Sequence, residues 1–392
     1  MSLHDFENRE AIFPGVHRSY KFALLTLGDK VDSTDFVFFA TAVNQLADQR
    51  RHFTLSAYDI ALINPNTRTC PVFRSQMDAG LTKKIYGQFS VLIEDALGAK
   101  GNPWNAKMTT MFHMTNDTQL MHTSRADGLE MVWEAKMTGF WDHRESDIEM
   151  NYGNTTRQAQ TRPISDAEHR DSSRKPCAQF WTLPKHAEDR VPEEWKFDWI
   201  YCFKRVTAAT NWRTLVPCIV PRGPVSYTLY CLFVKESLVR SGHASVLFGA
   251  LGSLVADYCL RHKTGQPSLP LWCPEQIPIP DPKSITTQDI SFIAPRVSLL
   301  AVSASDIRAF AIDTGTAEIS PSWDLSVRAQ AQAELDAFYA HLYGLSRDEL
   351  RYILDPADLM GPDYPSETFR VLKNNEQRQF GEYRTQRLML EA

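Results

Sequence analysis

The sequence predicts an α+β fold: a mixed-sheet domain followed by a mainly helical C-terminal region. Three observations predict it. Short runs rich in β-branched and aromatic residues, bounded by turn residues, crowd the chain before residue 235. Apolar residues then recur at helical spacing, with Leu247, Leu251, Leu254, Val255 and Tyr258 on one face of residues 243–262. Finally, Gln276-Ile-Pro-Ile-Pro-Asp-Pro-Lys283 marks a stiff, extended boundary, because alternate prolines forbid helix and ladder bonding alike. The expected division is a strand segment over residues 1–30, an α+β domain over 31–276 and a helical region over 284–392.

The elements follow in order. Residues 18–27 end in the apolar run Phe-Ala-Leu-Leu-Thr-Leu, the pattern of a strand buried on both faces of a sheet. A buried strand so near the start needs neighbours, which another polypeptide could supply. Phe36–Ala40 is a further strand. Ser56 or Asp59 caps a short helical turn after Phe53. Asn64-Pro65-Asn66 punctuates a turn before another strand, and Asp78–Tyr86 reads as one short helix. Residues 98–105 form a loop. The polar segment 151–176 carries Arg157, Arg162, Arg170, Arg174 and Lys175 against Asp166, Glu168 and Asp171, a net +2 before His169. It is expected to be a mobile loop able to lie against a polyanion, or else a solvated surface insertion. Strands resume at Trp199–Val206, Thr214–Pro221 and Tyr227–Val234. Arg261, His262 and Lys263 close the 243–262 helix, where cations suit the helix dipole. Ser322 or Asp324 starts a long helix ending near Gly344. Ser346 and Glu349 have capping-box spacing for the next. The last segment, from Phe380, is basic and amphipathic.

Bulk properties exclude several classes. The 392 residues, 43% hydrophobic and 23% charged, suit a soluble globular protein of about two to three domains. No apolar run reaches the roughly 18 residues of a membrane span, and the N-terminus lacks a signal-peptide layout. The seven cysteines are scattered and none form a Cys-x-x-Cys pair, which argues against a zinc site and for a reducing cytoplasm. With a formal charge of −5, any contact with nucleic acid must come from a local basic patch.

The stretch that draws attention is Glu130–Arg144, Glu-Met-Val-Trp-Glu-Ala-Lys-Met-Thr-Gly-Phe-Trp-Asp-His-Arg. It opens with strand-like alternation and closes on Asp142, His143 and Arg144 beside two aromatics. Charged donors next to flat rings suit base edges and phosphates; a half-buried strand leading into a polar turn is the plainer alternative. Glu134-x-Lys136, with Asp117 or Asp127 upstream, also imitates a Mg²⁺ nuclease, in which carboxylates hold the metal and a lysine sits near the attacking water. Asn102-Pro-Trp lacks the second proline of an Asn-Pro-Pro-aromatic methyltransferase loop. Phe248-Gly-Ala-Leu-Gly sits inside a predicted helix, not at a strand-to-helix turn. No Walker loop, His-Glu-x-x-His or nucleophile elbow occurs.

Several segments, in order and spanning nearly the whole chain, carry a resemblance. They are residues 5–27; Asn64-Pro-Asn-Thr-Arg-Thr-Cys-Pro-Val-Phe-Arg-Ser; Asn102-Pro-Trp; Phe112-His-Met-Thr-Asn-Asp; Glu134-Ala-Lys-Met-x-x-Phe-Trp-Asp-His-Arg; Leu342-Tyr-Gly-Leu-Ser-Arg-Asp-Glu; and Gly381-Glu-Tyr-Arg-Thr-x-Arg-Leu-Met-Leu-Glu. Together they resemble the C-terminal, target-recognition half of adenine-N6 DNA methyltransferases of restriction-modification and phage-defence systems, including type IIG-like enzymes. That family continues upstream into a catalytic domain with a glycine motif for S-adenosylmethionine and an Asn-Pro-Pro-Tyr loop, and neither is in this chain.

The resemblance therefore implies a DNA-recognition portion whose partner is a separate methyltransferase chain. No cofactor is expected here, and S-adenosylmethionine is expected on the partner. It implies that residues 1–30 join the catalytic sheet and that Gln276–Lys283 leads from recognition domain to helical region. Sequence reading needs bidentate donors. The candidates for double-stranded DNA are Lys136, Asp142, His143, Arg144, Arg205, Asn211 and Arg213, with Arg157 and Arg162 from the polar segment, and Arg261 and Lys263 for phosphate. No catalytic or metal-binding residue is expected. The alternatives are a Mg²⁺-dependent nuclease at Glu134 and Lys136, or an inactive fragment of a split gene, which would expose apolar surface near residues 20–27.

Overall fold

The computed structural model describes residues 1–154, 158–265 and 267–392. The architecture is α+β with a mixed sheet, as the sequence predicts. The first sheet has the order β2-β1-β3-β4, with β1 Ser2–Glu7, β2 Lys21–Thr26, β3 Ser33–Ala40 and β4 Phe53–Ser56. β1 pairs antiparallel with β2 and parallel with β3, while β3 pairs antiparallel with β4. Phe36, Phe38 and Phe53 stack into the main core from one face. The other face holds a small cluster, Phe6, Val37 and Ala40.

The expectation that residues 18–27 are buried on both faces is corrected. β2 is an edge strand, and Leu24, Leu25 and Leu27 are 54%, 62% and 74% exposed. Successive strand residues face opposite sides, so Leu24 and Leu25 leave both faces uncovered. Only Phe22 is anchored, stacked on Phe6 at 5.1 Å.

The second sheet is β11-β10-β12-β5, antiparallel throughout, with β5 Lys107–Thr109, β10 Trp199–Lys204, β11 Pro217–Pro221 and β12 Leu229–Phe233. Every residue of β12, and Trp199–Phe203 of β10, is buried. Continuous burial along a strand means that both faces are covered. The helix His243–Leu251 lies over Tyr201, with Phe248 stacked on its ring at 4.3 Å. The single helix expected over 243–262 is instead two, His243–Leu251 and Leu254–Arg261, bent by 50° at Gly252-Ser253. A Cβ at Gly252 would meet the Trp141 indole at 2.6 Å, so glycine permits this close approach. Ser253 then caps the second helix.

The C-terminal helices Leu325–Leu342 and Arg347–Leu354 have the expected caps, Asp324 and Ser346, and Thr286 caps a further helix, Thr287–Ala301. They pack into the core that already holds the second sheet, a single cluster running from Phe36 to Met389. The Gln276–Lys283 stretch is extended only over its middle and ends in a 3-10 turn at Pro282–Ser284, against the expectation that its prolines exclude helix, and it is not an exposed linker. Ile277 is fully buried, and its carbonyl accepts from Leu92 N at 2.8 Å; Ile279 N donates to Ser90 at 3.0 Å. The prolines leave few N–H groups to satisfy, so the strand can pass through the interior. Among the described residues, no single helix is long and apolar enough to cross a membrane.

The segment 151–176 also departs from a loop. β7 Ser146–Met150 and β8 Ala159–Pro163 form an antiparallel hairpin, followed by a helical turn at Asp166–His169 capped by Ser165. Two short strands, β6 Glu130–Met131 and β9 Trp181–Thr182, complete the strands.

Candidate nucleic-acid interface

The Glu130–Arg144 stretch is strand only at β6. After that its backbone is held residue by residue. Trp133 N donates to Pro224 at 2.9 Å, Ser226 N returns a bond to Trp133, and Ala135 N donates to Thr228 Oγ1 at 3.0 Å. A single 3-10 turn follows at Ala135–Met137. The expected alternation is not seen in the burial, since Val132, Trp133, Glu134 and Ala135 are all buried, and the partner ladder ends after Met131. At Trp141 the backbone is left-handed, with φ of 56°. A non-glycine residue in that conformation costs about 1–2 kcal/mol. The buried indole, packed against Tyr201 and Gly252, offsets it.

The turn's polar end faces inward. Asp142 Oδ1 accepts from Arg144 N at 2.9 Å, and Oδ2 lies 2.9 Å from His169 Nε2, whose ring stacks on Trp323. Burial alone would raise the Asp142 carboxyl. The His169 hydrogen bond and nearby positive charges outweigh burial and hold it below its usual range. His143 Nε2 sits 3.0 Å from Asp306 Oδ1. The Arg144 guanidinium donates to the carbonyls of His169, Asp171, Arg174 and Ser303 at 2.7–3.0 Å. It pins the hairpin and the helical turn after it to the C-terminal helices.

Other expected contacts are also internal struts. Arg213 pairs with buried Asp336 at 2.9 Å, and Asp336 in turn caps the helix starting at Leu254. Arg261 pairs with Asp257 at 2.6 Å and donates to the carbonyls of Ala209, Asn211 and Thr368. Lys263 donates to Ile63 O and Asn64 Oδ1 and is lowered to about 7, chiefly by burial. The assignments of Asp142, His143, Arg144, Arg213, Arg261 and Lys263 to DNA contact are thus corrected. Each is buried, and bonded to protein acceptors or donors.

The remaining expected residues are accessible in varying degree. Lys136 is half-buried, 3.6 Å from Glu134, whose carboxyl is pushed up by burial and restrained by Lys136 and Gln179. Arg205 lies over the Tyr227 ring at 5.4 Å, and Asn211 is exposed. Arg162 is tied to Asp147, Glu149 and Glu168. Arg157 lies outside the described residues. Glu134 has no metal-sized group around it: among the described residues, no cluster of three possible ligands includes it.

A site that the sequence reading missed lies beside the stretch. A cavity of about 550 Å³ opens where β6 meets β9, walled by Trp133 and Trp181 and rimmed by Arg125, Lys175 and Arg222. Glu130 and Asp306 also line it, so the cations outnumber the carboxylates by three to two. The Glu130 carboxyl is raised, by burial first and by Glu188 second. Arg125 is exposed and has no hydrogen bond or ion pair among the described residues. Arg222 spends one guanidinium nitrogen on Trp195 O at 2.7 Å. Trp181 is half-buried but Trp133 is only 2% exposed, so the hollow offers one accessible ring beside cations that suit phosphate oxygens. The only hint in the sequence was two tryptophans 48 positions apart, which β6–β9 pairing brings together.

Comparison with models of protein families gives no match, and comparison with curated proteins gives none.

Proposed function

We propose that this chain is a DNA target-recognition module for an adenine-N6 methyltransferase of a restriction-modification or phage-defence system. It supplies site choice, while a separate catalytic chain holds S-adenosylmethionine and extrudes the adenine. The observation that carries the reading is the cationic, tryptophan-walled cavity beside Glu130–Arg144. It lies next to one of the ordered segments on which the family resemblance rests. Arg125 and Lys175, with Lys136, Arg205 and Asn211, replace the buried residues as the contact set. Arg162 remains a candidate only if duplex phosphates displace its carboxylate partners.

Fluorescence anisotropy with duplex DNA at graded salt tests this. Affinity should fall steeply with salt, and Arg125→Glu with Lys175→Glu should weaken binding and flatten the salt slope by about two contacts. Binding that ignores both salt and these substitutions would refute the cavity as the interface. The chain should also co-purify with a polypeptide bearing Asn-Pro-Pro-Tyr.

A second reading, an inactive remnant of a split gene, draws on the exposed Leu24, Leu25 and Leu27 of β2. The same edge fits docking against a partner's sheet. Failure to capture any catalytic chain, together with poor solubility relieved by polar substitutions on β2, would favour the remnant.

A further inference from the structure

We propose that His4, Asp35 and His52 form a binding site for a first-row divalent metal ion. Among the described residues this is one group in which three possible ligand atoms lie within 4.8 Å of one another. His4 comes from β1, Asp35 from β3, and His52 from the segment just before β4. His4 Nε2 is 3.2 Å from Asp35 Oδ2, and His52 Nδ1 is 3.0 Å from the same oxygen. An ion about 2.0–2.2 Å from tetrahedral ligands sets them roughly 3.3–3.6 Å apart, so a spread of a few tenths of an ångström would admit one.

The His52 ring is held in an orientation that suits ligation. Its Nε2 lies 2.9 Å from the Leu46 carbonyl oxygen. A carbonyl only accepts, so Nε2 carries the hydrogen, which leaves Nδ1 as the ring atom that can offer a lone pair to an ion. That lone pair faces the Asp35 carboxylate, 3.0 and 3.1 Å from its two oxygens. Two acceptors do not meet at this distance without a second ring proton or a cation between them. A backbone carbonyl that fixes the ring and tautomer of a ligating histidine is the usual outer-shell arrangement at metal sites.

Two imidazole nitrogens and one carboxylate suit Zn²⁺, Co²⁺ or Ni²⁺ and not the oxygen-seeking Mg²⁺ or Ca²⁺. The side chains are 19%, 34% and 21% exposed, which leaves room for water in a fourth position. The site also meets a structural need. The face of the first sheet that carries Phe6, Val37 and Ala40 has only those three buried apolar residues. An ion there would fasten β1, β3 and the 43–52 segment together where burial contributes little.

The test uses the full chain, freed of any affinity tag and stripped with chelator. Zn²⁺ is titrated against a chromogenic competitor, and Co²⁺ is followed by its visible absorption. One equivalent should bind, and thermal unfolding should shift upward with Zn²⁺. His4→Ala, Asp35→Asn and His52→Ala should each weaken binding at least about tenfold, whereas His17→Ala on a neighbouring exposed turn should not. His4 is a partly buried residue of an interior strand, so circular dichroism and thermal unfolding in chelator must show each variant folded like the wild type before its affinity is compared. Absence of saturable binding below about 1 mM, or equal affinity in wild type and all three ligand variants, would overturn the site and leave a doubly protonated His52 as the explanation of the geometry.

Discussion

The two sheets use similar residues for opposite ends. Leu229-Tyr-Cys-Leu-Phe233 in β12 and Phe22-Ala-Leu-Leu-Thr-Leu27 around β2 are both short apolar runs, yet the first is wholly buried and the second is largely open. What separates them is position in the sheet. β12 lies between β10 and β5 under a roof of helices, whereas β2 has a neighbour on one side only. An apolar run thus records a demand for cover and not its source. In the second sheet the chain meets that demand itself. Over Leu24 and Leu25 of β2 in the first, nothing among the described residues does so.

Substitutions can break or sharpen that contrast. The largest effect belongs to Trp199→Ala in β10. The indole packs edge-on to Trp195, Phe248 and Phe310 and donates to Asp313. Its loss should cost about 3–5 kcal/mol in urea unfolding. A cost below 1 kcal/mol would mean that the second sheet is not the stable centre.

Next is Lys263, which joins the two regions by reaching from the end of the Leu254–Arg261 helix to the end of the Ala57–Ile63 helix that follows β4. Its folded value, about 7, lies below the ordinary lysine value, so the unfolded chain binds more protons above pH 7. Stability should therefore rise with pH above about 7, by at most about 1.4 kcal/mol per unit. The rise is best followed up to about pH 8.5. Beyond that, buried thiols such as Cys259 and Cys273, pushed up to about 12, oppose it. Lys263→Met should flatten the profile, and an unchanged slope would show that the ammonium is not the group responsible.

The smallest effect on stability is expected at β2. Leu25→Ser should change unfolding free energy by less than about 0.5 kcal/mol, as for other exposed sites. It should nonetheless reduce self-association or partner capture in sedimentation or pull-down experiments. A cost of 2 kcal/mol or more would mean that Leu25 is covered in solution by part of this chain.

Local signals were the most legible part of the fold. The Ser56, Asp324 and Ser346 caps, the Gln76–Gln88 helix and the strands at β10, β11 and β12 all follow from hydrogen-bonding side chains or periodic apolar residues. Relations between distant segments were not legible. Arg144 looks the same in a sequence whether it meets a phosphate or four carbonyls, since both are clusters of acceptors. Only the return of residues 169–174 and Ser303 to the same point decides it. The same holds for His4, Asp35 and His52, whose spacing of 31 and 17 positions matches no ligand motif. The Arg125–Arg222 hollow likewise depends on β6 finding β9.

The proline-rich passage from Gln276 to Lys283 has an evolutionary consequence. Because it threads the interior, with Tyr86 and Trp104 anchored to its carbonyls, the last third of the chain is no exchangeable cassette. Recombination at that point between diverged copies would swap one half of a fitted interior for a stranger's, so exchange at this seam should be tolerated less well than substitution at exposed positions.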